Sequence, residues 1–454
     1  MSLDPLLDRA RELAGAYLAG LAERPVPAQG GADGLRLPLP DAGTPAVEVL
    51  ETLAAAAEPG LVASAGPRYF GFVTGGALPV ALAADWLTTA WDQNAALHVM
   101  SPAAAAAETA VTGWVRDLLG LPEEVSAGVA TGAQMANVTA LAAARHAVLA
   151  RAGWDVEERG LQGAPWLRVL AGEEAHVTVF NALRLLGLGR GTVELVPADG
   201  QGRMRAGALD EALERASREP TIVCAQAGNV DTGAFDPLAA IVSACHEHGA
   251  WCHVDGAFGL WAAAAPSRAH LVAGAAGADS WAVDAHKWLN VPYDAAFAFT
   301  ADTEAHAAAM RLTAPYLTEA GAAERNGADW APEASRRARA FPAWAALRFL
   351  GRDGVAELVE RCCALAARIA ARLETDPRVD VLNEVVLNQV LVRVDDDDAA
   401  TEAAIRRVQQ DGTCWLGGTR RRGRAALRIS VSGWATTEAD ADRSADAILA
   451  AIRG

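Results

Sequence analysis

VDAHKWLNVPYD, residues 283–294, puts a lysine, Lys287, where a run of β-forming residues stops and a turn begins. Residues 279–285 read as a strand, and Trp288, Leu289 and Asn290 as the turn that leaves it. A strand end suits a reactive amine, because the sheet fixes its base while the tip stays open. His286 and Trp288 flank the amine and restrict its motion and its access to water. With its pKa lowered, a lysine so placed becomes a Schiff-base nucleophile. A His-Lys pair alone also fits ordinary surface punctuation, so the decision comes from what precedes it.

HVDGAFG, residues 253–259, ends 28 residues before that lysine. Residues 251–255 read as a buried strand that delivers Asp255 to its C-terminal end. Gly256 and Ala257 follow, small enough for a flat ring to lie against the backbone. A carboxylate at a strand end, a small neighbour and a lysine one strand later suit pyridoxal 5'-phosphate. The lysine forms the Schiff base, and the aspartate keeps the pyridine nitrogen protonated so that the ring accepts electrons. Raising that nitrogen's pKa by about two units takes roughly 2.7 kcal/mol of differential interaction, within reach of a partly buried ion pair. With these markers in this order, the chain resembles the group II pyridoxal-phosphate amino-acid decarboxylases of aminotransferase fold type I. Aromatic-amino-acid and glutamate decarboxylases are members of that family.

The resemblance spans roughly residues 60–440 and implies roles for particular residues. ATGAQMANVTALAAARHAVLA, 130–150, has a Thr-Gly turn opening a strong helix, whose first-turn N–H groups make a phosphate cradle. Gly132, Ala133, Ala136 and Asn137 match the family's turn, while Gln134 stands where a hydroxyl usually sits. His176 falls where the family stacks a histidine on the cofactor ring, and Asn229 where a turn contacts the cofactor. The implied cofactor-binding set is therefore Ala133, Gln134, His176, Asn229, Asp255, Ala257, Asp284, His286 and Lys287, with Lys287, His176 and Asp255 catalytic. GPRYFGFV, 66–73, resembles the marker whose aromatics, here Tyr69, Phe70 and Phe72, line the substrate pocket. LRISVSGWATT, 427–437, resembles the C-terminal marker, with Arg428 the first candidate for a substrate carboxylate; a surface ion pair explains it equally well. One departure matters: the family's active-site loop carries a tyrosine that protonates the α-carbon, and no tyrosine lies between Leu317 and Phe341.

Composition narrows the classes. A net charge of −17 argues against nucleic acid and anionic membrane as main partners. No apolar run is long enough to span a membrane, and Asp4 and Asp8 stand where a signal peptide would be basic. Six cysteines in 454 residues make no disulfide framework, which fits a cytoplasmic enzyme. CHEHGAWCHVD, 245–255, is rich in metal-ligand types, but His246 and His248 point about 200° apart on a helix, and no metal is expected.

The expected fold is α/β: a large domain with a mainly parallel sheet between helices, and a smaller C-terminal α+β domain. Residues 1–65 form a helical arm that in the family packs on a partner subunit, 66–311 the cofactor domain, and 312–454 a mobile loop and the small domain. TIVCAQAGNVDTGAFDP, 221–237, reads as strand, turn and helix, with Asp236 as N-cap and Pro237 as the first helical residue. TRRRGR, 419–424, reads as a basic turn ahead of a strand at 426–432. The expected activity is decarboxylation of an L-amino acid to its amine by a homodimer. The missing loop tyrosine leaves open an aldehyde synthase, or a non-decarboxylating lyase or transaminase. A catalytically silent homologue is the non-enzyme alternative.

Overall fold

The computed structural model describes residues 3–215, 219–312 and 324–454. Two units emerge, one of residues 75–364 with 383–389, the other of residues up to 74 with 365–382 and 390–454.

The larger unit is built on a seven-stranded sheet: β1 (Ser126–Ala130), β2 (Arg168–Gly172), β3 (Glu194–Val196), β4 (Thr221–Gln226), β5 (Trp251–Asp255), β6 (Ser280–Asp284) and β7 (Ala296–Thr300). Their order is β1-β7-β6-β5-β4-β2-β3. Every pairing from β3 through β6 is parallel, and β7 runs antiparallel between β6 and β1. Strands β1, β2, β4, β5, β6 and β7 are buried at every residue, as strands covered on both faces must be, with polar residues such as Asp255 and Asp284 at their ends. The largely parallel sheet expected from the strand-turn-helix pattern is present.

Register decides what gathers at the sheet's edge. Asp255 is level with Gln226 on one side and with Ala282 on the other. Ala130 and Asp284 are both level with Ala296. The C-terminal ends of β1, β4, β5 and β6 therefore face one crevice, which is where open α/β sheets hold their ligands. The helix Ala133–Arg151 lies across this sheet, with Ala136 packed on Ala130, Ala282, Ala296 and Ala298. Alanines on both surfaces let the helix approach closely, and its first turn stands at the crevice.

The smaller unit holds an antiparallel sheet of β8 (Val379–Val381), β9 (Gln389–Val394), β10 (Gly417–Arg421) and β11 (Arg424–Ser430), in the order β10-β11-β9-β8. The helices Asp398–Asp411 and Glu438–Arg453 belong to it, the second opened by a capping box of Thr437 and Asp440. Asp397 caps the first, so the 395–398 acidic run ends a strand and starts a helix. The N-terminal helices Asp4–Gly20 and Ala46–Ala57 bury no residue within the chain.

Two local expectations change. Pro237 is the N-cap of the helix Leu238–Glu247, and Asp236 does not cap it. The Asp236 carboxylate instead accepts the N–H groups of Met204 and Gln226, each at 2.7 Å. Burial pushes its pKa up to about 6 against those two bonds. The basic turn at 419–424 is the tip of a hairpin, with Arg421 paired to Arg424 and a tight turn at Arg422 and Gly423. Both turn residues have positive φ, 50° and 79°, the geometry that lets a two-residue loop follow the strand twist.

Candidate active site

Lys287 lies three residues past the end of β6, in the position the strand pattern indicates. Its Nζ is 2.9 Å from Asp284 Oδ2. The other oxygen of that carboxylate accepts the N–H of Ala133 at 2.6 Å and lies 3.4 Å from His286 Nε2. One buried carboxylate thus joins the candidate lysine, a candidate histidine and the first helical residue of Ala133–Arg151. The His286 Nδ1 accepts the Ala295 N–H at 3.2 Å, which leaves the proton on Nε2, aimed at Asp284. Burial lowers the His286 pKa and Lys287 adds to this, so the ring stays neutral despite Asp284.

Burial also works against the Lys287 ammonium, but the charge and hydrogen bond of Asp284, with Asp255 and Tyr293 behind them, more than offset it. The net direction is upward. The lowered pKa expected for this lysine is not found, because the carboxylate three residues earlier decides the sign.

Asp255 is held from behind. The Ala257 N–H donates to its Oδ1 at 3.2 Å, and the Ala257 carbonyl accepts the Asp284 N–H at 2.8 Å. Ala257, expected in the cofactor-binding set as a small residue beside the ring, also ties the ends of β5 and β6 together. Two residues earlier on the same face of β5, His253 sits between Ser280 Oγ and Asn137 Oδ1, each at 2.9 Å. The amide oxygen can only accept, so His253 Nε2 carries a proton. Burial brings its pKa down to about 3. This histidine pins β5 and β6 to the cradle helix.

His176 and Asn229 stand on loops at the same edge. His176 caps the helix Val177–Leu185, with its Nδ1 accepting the Thr178 N–H at 3.4 Å and lying 2.7 Å from Thr178 Oγ1. Asn229 is buried, and its Oδ1 accepts the N–H groups of Asp231 and Thr232. Its Nδ2 donates to the Glu174 carbonyl at 3.4 Å, linking the β4 turn to the loop that carries His176. Gln134 is half-buried in the first turn, where the N–H groups of Gln134 and Met135 have no intrahelical acceptor.

The pocket candidates Tyr69, Phe70, Phe72 and Arg428 belong to the smaller unit. Phe70 is buried, with its N–H on the Trp415 carbonyl at 2.8 Å. Tyr69 stacks on Trp415 with ring centroids 5.0 Å apart, and Phe72, 63% exposed, lies 5.6 Å from the same ring. Arg428 is in β11, opposite Gly417. Residues 313–323, which hold part of the expected active-site loop and Tyr316 just ahead of it, lie outside the described residues. Among the described residues no His, Cys, Asp and Glu cluster could hold a metal ion, and no helix is long and apolar enough to cross a membrane.

An amine and two carboxylates at neighbouring strand ends, beside free first-turn donors, match the needs of pyridoxal phosphate. The donors suit a phosphate, Asp255 a pyridinium, and Lys287 an aldehyde carbon. Fold and site define a pyridoxal-phosphate enzyme of fold type I. Residues 32–395 match the model of the pyridoxal-dependent decarboxylase conserved domain, and the chain belongs to that family, a pyridoxal-phosphate-dependent carboxy-lyase. It is 30% identical over 401 residues to aromatic-L-amino-acid decarboxylase of Sus scrofa, covering 85% of this chain and 82% of that one. The Bacillus atrophaeus aromatic-L-amino-acid decarboxylase is 25% identical over 387 residues, covering 82% and 78%. The fold superposes on a crystal structure of Oryza sativa TDC with PLP and tryptamine at a TM-score of 0.93 and 23% identity. That match covers 100% of this chain and 98% of the other.

Proposed function

We propose that the chain decarboxylates an L-amino acid to its amine, with Lys287 as the residue that carries the cofactor. The observation behind this is the Lys287–Asp284 contact of 2.9 Å at the end of β6, one strand from Asp255. When bound, pyridoxal phosphate supplies an electron sink for the pair left behind as the carboxylate departs as carbon dioxide. Lys287 must shed a proton before its amine attacks a carbonyl, and Asp284 Oδ2 is the acceptor it faces. Asp255, fixed by the Ala257 N–H, would hold a proton on the ring nitrogen. His176 would lie over the ring, with Asn229 setting the loop on which it stands. The first turn at Ala133 and Gln134 would hold the phosphate.

An aromatic amino acid is the proposed substrate class, supported by the names of the two curated relatives and by the Tyr69, Phe72 and Trp415 cluster. The working unit is a homodimer, supported by Leu3, Leu7 and Leu18, which stand 62%, 55% and 40% exposed on the N-terminal arm. A cytoplasmic setting is supported by six cysteines that are all buried free thiols.

A second reading, a decarboxylating aldehyde synthase, is favoured by the absence of tyrosine at 318–340. Without that acid, the electron pair left by decarboxylation would be open to molecular oxygen, which would be reduced to hydrogen peroxide while the α-carbon becomes an aldehyde and its nitrogen leaves as ammonia. Incubating the protein with a panel of L-amino acids, and measuring carbon dioxide, amine and aldehyde separately, decides between the two. Amine equal to carbon dioxide supports the decarboxylase, aldehyde in its place supports the synthase, and no carbon dioxide from any acid ends both.

A further inference from the structure

We propose that Asp284 is a built-in competitor for the phosphate cradle, so that the cofactor's phosphate is held only as this carboxylate gives up the first N–H of the helix Ala133–Arg151. The inference rests on reading Lys287 and the 131–134 turn as the cofactor site.

Asp284 is 1% exposed, and both of its oxygens are engaged. Oδ1 takes the Ala133 N–H at 2.6 Å and Oδ2 faces Lys287 Nζ at 2.9 Å. Its backbone is tied on both sides: the N–H donates to Ala257 O at 2.8 Å, and the carbonyl accepts Trp261 Nε1 at 2.9 Å. The strand therefore cannot carry the carboxylate away, and only side-chain rotation releases the donor.

A 19-residue helix presents a fractional positive charge at its first turn. An anionic oxygen there occupies the position that a phosphate oxygen seeks. The two anions compete for one donor and repel each other at short range in a poorly solvated site. Asparagine would keep the shape of Asp284 and, through its amide oxygen, could still accept from Ala133, but it would not carry the charge. That exchange separates shape from competition.

The test titrates the full-length protein, stripped of cofactor, with pyridoxal phosphate and with pyridoxal, which lacks the phosphate. Wild type, Asp284→Asn and Asp284→Ser are compared by absorbance and tryptophan fluorescence. Releasing Lys287 from its carboxylate changes both ligands alike, whereas releasing the cradle changes only the phosphorylated one. The preference for pyridoxal phosphate over pyridoxal is expected to rise about tenfold in Asp284→Asn, equivalent to about 1.4 kcal/mol, and in the same direction in Asp284→Ser. The preference is a ratio within each protein, so partial unfolding cancels. A preference that stays level or falls in both variants overturns the proposal. Wild-type binding that Lys287→Ala leaves unchanged overturns the site reading itself, and this inference with it.

Discussion

The end of β6 and the outer helices of the smaller unit both carry ion pairs at contact distance. Lys287 and Asp284 are 2.9 Å apart with side chains 20% and 2% exposed, and Arg368 and Asp442 are 2.8 Å apart at 44% and 31%. Arg368 even binds in a fork, through Nε and one terminal nitrogen at 2.8 and 2.9 Å. On geometry alone the exposed pair is the better one. Water decides otherwise, since an exposed pair exchanges one set of good partners for another. A buried carboxylate without its cation is left badly solvated. Chemistry therefore gathers at the sheet edge, while the helix pairs, with Arg372 on Asp446 among them, stay in contact with water.

Lys287→Ala should produce the largest effect. It should abolish an absorbance band near ~420 nm that borohydride removes from wild type, and cut carbon dioxide release by on the order of 10^4-fold or more. A band that survives the substitution would break the comparison, because the buried pair would then be structural, and a wild type that never develops one would point to a silent homologue.

Glycines sharpen the contrast next. A Cβ on Gly75 would stand 1.9 Å from the Lys287 carbonyl oxygen, whereas one on Gly15, in the exposed N-terminal helix, meets nothing within 4 Å. Gly75→Ala should lower stability by about 2–3 kcal/mol through overpacking. Gly15→Ala should raise it by about 0.5–1 kcal/mol through the unfolded chain's lost freedom. Urea midpoints of the two variants check both signs.

The pH dependence reads the buried side directly. His253 has a folded pKa of about 3, below the ~6.5 of an unfolded histidine, so at pH values between them the unfolded chain binds a proton that the folded one refuses. Its contribution is full above pH ~6.5 and falls as pH drops through that window, by about 1.4 kcal/mol per pH unit. His253→Gln should flatten that slope in urea titrations run from pH 7 to pH 4. The smallest effect belongs to Arg368→Ala, whose unfolding midpoint should stay within the scatter of replicate melts. A clear drop there would show that the fork outweighs its exposure.

The sequence by itself determined the local pieces. The Lys287 and Asp255 strand ends and the helix start beside Ala133 follow from periodicity, small residues and turn chemistry within a few neighbours. Tertiary structure decided how those pieces meet. Ala133 and Asp284 are 151 residues apart, and no local pattern shows that one donates to the other. Asp236 looked like a cap because Asp-Pro usually is one, yet the Met204 and Gln226 N–H groups, brought close by the fold, claimed its carboxylate. The pKa of Lys287 moves upward chiefly through Asp284, only three residues earlier, and the fold adds Asp255 from the neighbouring strand. Propensity is set by adjacent residues, whereas charge and hydrogen bonding are set by whatever the strand register brings alongside.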